Sequence, residues 1–229
     1  MRPSGFWRRY AAYSLDLLAP LAVSVPLLWG TGLKMIARTD LHMAQAQLRM
    51  FELMDAAMLR RPDPVGELLA WSHDPALREA LLAIIAVWMQ SLGIAAAVIV
   101  ALSALWFIGF EASPWQASPG KRLAGLRVTT GDGGRPGPAR IALRFVAGAP
   151  SWLLLHLGHA LAGWRKDGRA LHDLLAGTRV VLEPAASAAM PRWARYWLWA
   201  QALALAALFT AVATQYALLA AAAWQAGLP

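Results

Sequence analysis

The sequence predicts an all-α membrane protein: three transmembrane helices plus a bent or re-entrant helical hairpin, or four spans if that hairpin runs straight, with a small cytoplasmic β-ribbon. Three observations predict it. Of the 229 residues, 59% are hydrophobic and only 15% charged, against about 25% charged in a soluble domain. Four apolar stretches occur, at 10–33, 80–110, 141–164 and 196–224, and the shortest of these makes roughly 36 Å of helix against a hydrocarbon core of roughly 30 Å. The formal charge of +8 is distributed unevenly among the connecting segments, as membrane orientation requires. The chain contains no cysteine, which excludes disulfide scaffolds, thiolate metal sites, iron–sulfur clusters and cysteine nucleophiles.

The first stretch contains Asp16, Pro20 and Pro26. An ionisable group at the centre of a span costs roughly 2.5–3.5 kcal/mol by insertion scales, so Asp16 is expected to face protein or a wet cavity. Each proline lacks the N–H that would bond to the carbonyl four residues earlier, which frees the C=O of Asp16 and of Ala22. In the segment 34–79, Ala44, Leu48, Phe51, Met54 and Met58 recur at three- and four-residue steps, the spacing of an amphipathic helix. Asp40 is its expected N-cap, and Arg60, Arg61, Pro62 and Pro64 its end. The second stretch is a clean span, with Asp74 as N-cap and Pro75 at the first helical position. The third carries Arg144, Gly148-Ala149-Pro150, His156 and His159, and is expected to bend at the Gly-Ala-Pro step. The fourth is largely alanine and leucine, with small residues such as Ala202 and Ala206 that would admit a neighbouring helix.

Charge decides between a crossing and a re-entrant third stretch. Arg2, Arg8 and Arg9 precede the first span and place the N-terminus in the cytoplasm. The segment 34–79 then lies outside with six basic and seven acidic residues. The segments flanking the third stretch are both basic, the first through Lys121, Arg122, Arg127, Arg135 and Arg140, the second through Arg165, Lys166, Arg169, Arg179, Arg192 and Arg195. A helix–break–helix that returns to the same side keeps fifteen of the twenty-one basic residues inside, whereas a straight span strands one basic loop outside. Re-entrance is therefore favoured, with its irregular backbone buried in protein. Two β-rich runs, 126–130 and 178–182, are candidates to pair as a ribbon, the first leading into the turn signal Gly131-Asp132-Gly133-Gly134.

Three motifs then carry a family resemblance. Gly5-Phe6-Trp7-Arg8-Arg9-Tyr10-Ala11-Ala12-Tyr13-Ser14-Leu15-Asp16, Ser118-Pro119-Gly120-Lys121-Arg122-Leu123-Ala124-Gly125-Leu126-Arg127-Val128 and Arg169-Ala170-Leu171-His172-Asp173-Leu174-Leu175-Ala176-Gly177-Thr178-Arg179-Val180-Val181 resemble, in that order, the RDD family of prokaryotic membrane proteins. That family is named for one arginine and two aspartates, whose places fall here on Arg9, Asp16 and Asp173. The resemblance covers about residues 5 to 183. This chain differs in its longer outer segment, in Ser118 where threonine is usual, and in a fourth hydrophobic stretch. The organisation expected is an RDD-type membrane domain over 1–183, with an outer amphipathic insertion at 34–79, then a linker and an additional C-terminal transmembrane helix over 184–229. For activity the resemblance implies cation/proton exchange, to which a few members are linked.

Arg9 and Asp16 are seven apart on one helical face, roughly 10.5 Å along the axis, and both side chains lean toward the N-terminus, so a direct bond between them is not expected. Asp173 is the expected partner of Arg9. Asp16 is left to a cation, a polar side chain or a basic residue near Lys121. The three charges read either as a neutralising clasp or as an ion site in which Asp16 exchanges a proton for a cation. Lys121 and Arg122 are expected to contact lipid headgroups from the cytoplasmic side. The phosphate-loop likeness of Ser118-Pro119-Gly120-Lys121-Arg122 is incomplete, because no glycine stands five before Gly120 and no Ser or Thr follows Lys121. His156 and His159 share a helical face but lack a third metal ligand nearby. His172 beside Asp173 is a candidate proton relay. Twin arginines before an apolar run resemble an export signal, but Asp16 interrupts that run and no small-residue cleavage site follows.

No catalytic set, metal site, cofactor motif or nucleic-acid signature is read, and no enzyme is expected. The leading expectation is a multi-pass protein of the prokaryotic inner membrane with its N-terminus cytoplasmic, homo-oligomeric or joined to a membrane partner, in which intramembrane carboxylates transport a monovalent cation or proton. The alternative is a non-transporting scaffold or accessory subunit that recruits a partner through its basic cytoplasmic face.

Overall fold

The computed structural model describes residues 4–58, 64–153, 157–165 and 167–225. The chain divides into two units, Ala19–Ser103 and a second composed of Met1–Leu18 with Ala104–Pro229. Ten helices and two strands follow in order among the described residues: α1 (Phe6–Asp16), α2 (Leu18–Met58), α3 (Pro64–Ser72), α4 (Pro75–Ala112), α5 (Pro119–Leu123), β1 (Leu126–Thr130), α6 (Pro138–Val146), α7 (Ala149–Leu153), α8 (Leu157–Trp164), α9 (Leu171–Leu175), β2 (Thr178–Leu182) and α10 (Arg192–Gln225). Among the described residues, three runs are long and apolar enough to cross a membrane: Phe6–Met58, Pro75–Ala112 and Arg192–Gln225.

The first run is divided where proline chemistry divides it. α1 ends at Asp16, and the Leu17 N–H closes the last turn on the Tyr13 carbonyl at 3.1 Å. Pro20, the third residue of α2, offers no N–H to Asp16. Pro26 lies inside α2 without ending it. The expected separate amphipathic helix is corrected: α2 passes through Asp40 unbroken and reaches Met58, 41 residues in all. No glycine or proline interrupts residues 34–39, and extending an existing helix costs far less than nucleating a new one. At about 1.5 Å per residue, α2 is roughly 60 Å long, twice a hydrocarbon core. The expected stop at Arg60, Arg61 and Pro62 lies outside the described residues. Beyond it α3, which the periodicity did not reveal, opens on Pro64, a residue suited to the first helical position.

Within the Ala19–Ser103 unit, α4 starts where the Asp-Pro step predicts. Asp74 Oδ1 accepts the Leu77 N–H at 2.9 Å, and Arg49 of α2 donates from Nη2 to Asp74 Oδ2 at 2.7 Å. Trp88 Nε1 donates to Thr39 Oγ1 at 3.1 Å, a second polar tie between the same two helices.

In the other unit, no candidate span falls within the third apolar stretch among the described residues. The stretch is interrupted at Ala147–Gly148, between α6 and α7, and α8 follows residues 154–156, which lie outside the described residues. α8 packs on α9 and α1. His156 and the side chain of His159 lie outside the described residues. The ribbon forms: β1 and β2 pair antiparallel, with Leu126 opposite Leu182, Val128 opposite Val180 and Thr130 opposite Thr178. Its inner face supplies Leu126, Val128 and Val180 to a core completed by Ala12, Ala124 and Ile141. Gly125 enters β1 at φ +64°, and a Cβ there would lie 2.7 Å from the Ala186 Cβ, so only glycine fits. The first turns of α10 are tied to α1, Trp197 Nε1 and Gln201 Nε2 both donating to Ser14 Oγ at 2.9 and 3.2 Å. From Ala202 to Ala222 every α10 residue is exposed, as a lipid-facing or partner-facing helix requires.

The Arg49 side-chain bond, followed by the Leu77 N–H, lowers the Asp74 carboxyl from 3.8 to about 2. A folded value below the unfolded one contributes stability that is complete above about pH 4 and lost as pH falls toward the folded value. Amide exchange at the start of α4, residues 76–78, is expected to accelerate across that acid window. In Asp74→Ala the fast exchange should already be present at neutral pH.

Candidate functional site

The short helices of the larger unit converge on a row of buried charges. Arg9, on α1, donates from Nη2 to Asp173 Oδ2 at 2.5 Å and from Nη1 to the Gly168 carbonyl at 2.6 Å. Asp173, on α9 and fully buried, also accepts the Ala170 N–H on Oδ2 at 2.9 Å. Its Oδ1 accepts Arg144 Nη1 from α6. Arg144 reaches Thr178 Oγ1 at 3.0 Å and donates from Nε to Glu111 Oε2, at the end of α4, at 3.2 Å. The other Glu111 oxygen accepts Lys121 of α5, whose Nζ lies 5.1 Å from the centre of the Phe107 ring. Charges therefore alternate along Arg9, Asp173, Arg144, Glu111 and Lys121. Each buried ion is offset by an opposite neighbour and by hydrogen bonds, the condition under which buried ion pairs are tolerated.

Asp16 stands apart from this row. Its Oδ2 accepts Ser118 Oγ at 2.5 Å, and its Oδ1 accepts the Gly120 N–H at 2.8 Å and Trp106 Nε1 at 3.3 Å. Of the partners expected for it, the structure supplies polar side chains and a backbone amide. The Ser-Pro-Gly turn, whose sequence superficially resembles a phosphate loop, spends its donors on a carboxylate of its own chain. A Cβ on Gly120 would lie 2.5 Å from the Ala12 carbonyl and 2.8 Å from Asp16 Oδ2, so this glycine is what lets α5 seat on α1.

Lys121 requires a correction. It is 6% exposed and paired inward with Glu111, so it does not meet lipid headgroups; the nearby carboxylate and the Phe107 ring replace its water. Arg122 does lie at the surface, its guanidinium 4.4 Å from the Trp115 ring centre. His172 Nε2 is 3.7 Å from Asp173 Oδ1, beyond hydrogen-bond reach, so these two groups do not form a bonded relay.

Sequence reading did not assign three of the charged participants to the site. Glu111 and Arg144 each end or interrupt an apolar stretch, which was the available signal. Arg8, buried, donates from Nε to the Ala124 carbonyl at 2.8 Å and from Nη1 to the Ser187 carbonyl at 2.9 Å. The charge row borders a cavity of about 170 Å³ walled by Phe6, Tyr10, Phe107 and Ile141. Among the described residues, no group of three or more His, Asp or Glu side chains is placed to hold a metal ion.

A model of the RDD family matches residues 3–177, a range that contains Arg9, Asp16 and Asp173. No curated protein and no solved structure matches the chain.

Removing one partner of a buried ion pair leaves the other uncompensated, at a cost of about 3–5 kcal/mol. Asp173→Asn strands both Arg9 and Arg144 and should lose stability of that order in chemical denaturation of detergent-solubilised protein. A loss below about 1 kcal/mol, the scale of an exposed pair, would contradict the row's structural role.

Proposed function

The chain belongs to the RDD family of membrane proteins, and on that premise we propose that it is a membrane scaffold or accessory subunit whose charged residues hold the fold together and do not carry cations. One observation supports this reading above the others. Each oxygen of Asp16, Glu111 and Asp173 accepts a hydrogen bond from a donor of the chain itself. A cation entering the row would have to displace an arginine or lysine from its carboxylate, and the displaced charge would remain buried. The same fastening joins α1, α4, α5, α6 and α9, which is what a scaffold needs in order to present a fixed surface.

That surface is basic. Arg122, Arg135, Arg140, Arg165, Arg192 and Arg195 are exposed, and by the positive-inside rule they face the cytoplasm, with the N-terminus on the same side and the chain in the prokaryotic inner membrane. They would hold anionic headgroups and an acidic partner, while the bare apolar length of α10 meets a second copy or another membrane protein.

Cation/proton exchange is the second reading. What favours it is Asp16, 2% exposed within the first run, since an ionisable group at that depth marks ion pathways in many membrane proteins.

Reconstituted vesicles separate the two. The scaffold reading expects no sodium- or potassium-dependent proton movement above empty vesicles. Flux that disappears in a folded Asp16→Asn variant establishes exchange in its place. Orientation has its own test, because the chain has no cysteine of its own. A cysteine introduced at Arg135 or Arg165 should react with an impermeant maleimide only after the cytoplasmic side is opened. Labelling of intact cells at either position overturns the assignment.

A further inference from the structure

We propose that the cavity beside the charge row is a binding site for a small amphipathic monoanion, a carboxylate carrying a flat or short apolar body. The charge count carries the inference. Arg9, Lys121 and Arg144 place three cations at the cavity, against the two carboxylates Glu111 and Asp173 that pair with them. With the buried neighbours Arg8 and Asp16, and with Arg9 at 11% side-chain exposure, the count is four against three, so one positive charge remains in excess. An excess charge away from water is stabilised by a counter-ion. One monoanion balances it, whereas a cation would double it.

The remaining walls specify the rest of the ligand. Phe6 and Tyr10 stack with ring centres 6.2 Å apart, and Phe107 stacks on Tyr13 at 5.4 Å, so much of the cavity's lining beside the charges is aromatic. Such walls favour an apolar or planar group by contact and offset stacking. The volume of about 170 Å³ suits a ligand of benzoate size, since an apolar cavity of about 150 Å³ accommodates benzene. A site lined by cations and aromatic rings takes an acid whose apolar end is short enough to be enclosed, or the carboxyl end of a fatty acid entering from the bilayer.

Three isosteres read the charge requirement on the unaltered full-length chain in a neutral maltoside detergent: benzoate, neutral benzamide and cationic benzylammonium. Calorimetric titration should give saturable one-to-one binding for benzoate, with benzamide weaker by roughly tenfold or more and no binding of benzylammonium. Ala162→Leu fills the cavity without touching a charge, and Lys121→Gln removes one of the cavity's three cations and with it the positive excess; each should weaken benzoate by roughly tenfold or more while the gel-filtration profile stays monodisperse. Oleate included in phosphatidylcholine nanodiscs then distinguishes the sources: competition with benzoate identifies the ligand as a bilayer fatty acid, and its absence identifies a water-soluble acid, both outcomes supporting the monoanion site. The proposal is overturned by absence of saturable benzoate binding, by equal affinity for benzoate and benzamide, or by full affinity in folded Ala162→Leu. If neither variant folds, the benzoate–benzamide comparison on the unaltered chain decides.

Discussion

The alternation of buried charges from Arg9 through Asp173, Arg144 and Glu111 to Lys121 is the constraint on which the rest of the larger unit depends. Five helices each contribute one member, and each member is tolerable away from water only when its neighbours are in place. The row therefore works as a set of mutual conditions. α6 must present Arg144 between two carboxylates, α9 must place Asp173 between two arginines, and α5 must bring Lys121 back onto the helix that carries Glu111. Such a network contributes less to net stability than to uniqueness, because any alternative packing leaves an ion without its partner.

Two further features accompany that condition. The third apolar stretch is interrupted at Ala147–Gly148, so α6 ends at Val146, two residues after Arg144, and α8 packs against α1 and α9. The Asp16 clamp then fixes α5 on α1 through Ser118 and the Gly120 amide, which sets the position of Lys121 one residue further on. β1 follows α5 directly and β2 follows α9 directly, so pairing of the two strands closes the ring of elements around the core.

Much of this was legible locally. Asp74-Pro75 marked the start of α4 because an N-cap and a first-turn proline act within a few residues of themselves. The ribbon could be read from β-branched runs, and the interrupted third stretch from Gly148-Ala149-Pro150 and from the basic residues on both its flanks. The family motifs marked Arg9, Asp16 and Asp173. Asp40 misled because a capping residue has no effect where the helix is already propagating. Lys121 misled because a lysine in a Pro-Gly turn resembles a surface residue until the packing supplies a carboxylate ten residues earlier in the chain.

The sequence by itself determined that the chain is a helical membrane protein with three or four long apolar stretches, and which ionisable residues would be costly to leave unpaired. Those properties are sums over neighbouring residues, and hydropathy and charge record them directly. Only the tertiary structure decided the pairings: that Asp16 clamps a turn while Asp173 is shared by two arginines, that Glu111 and Arg144 join the row, and that a cavity with a positive excess lies beside it. The partners in the row are between 10 and 164 residues apart. A charge buried in low dielectric responds to whichever group packing brings within a few ångströms, and no local pattern in the chain encodes that proximity.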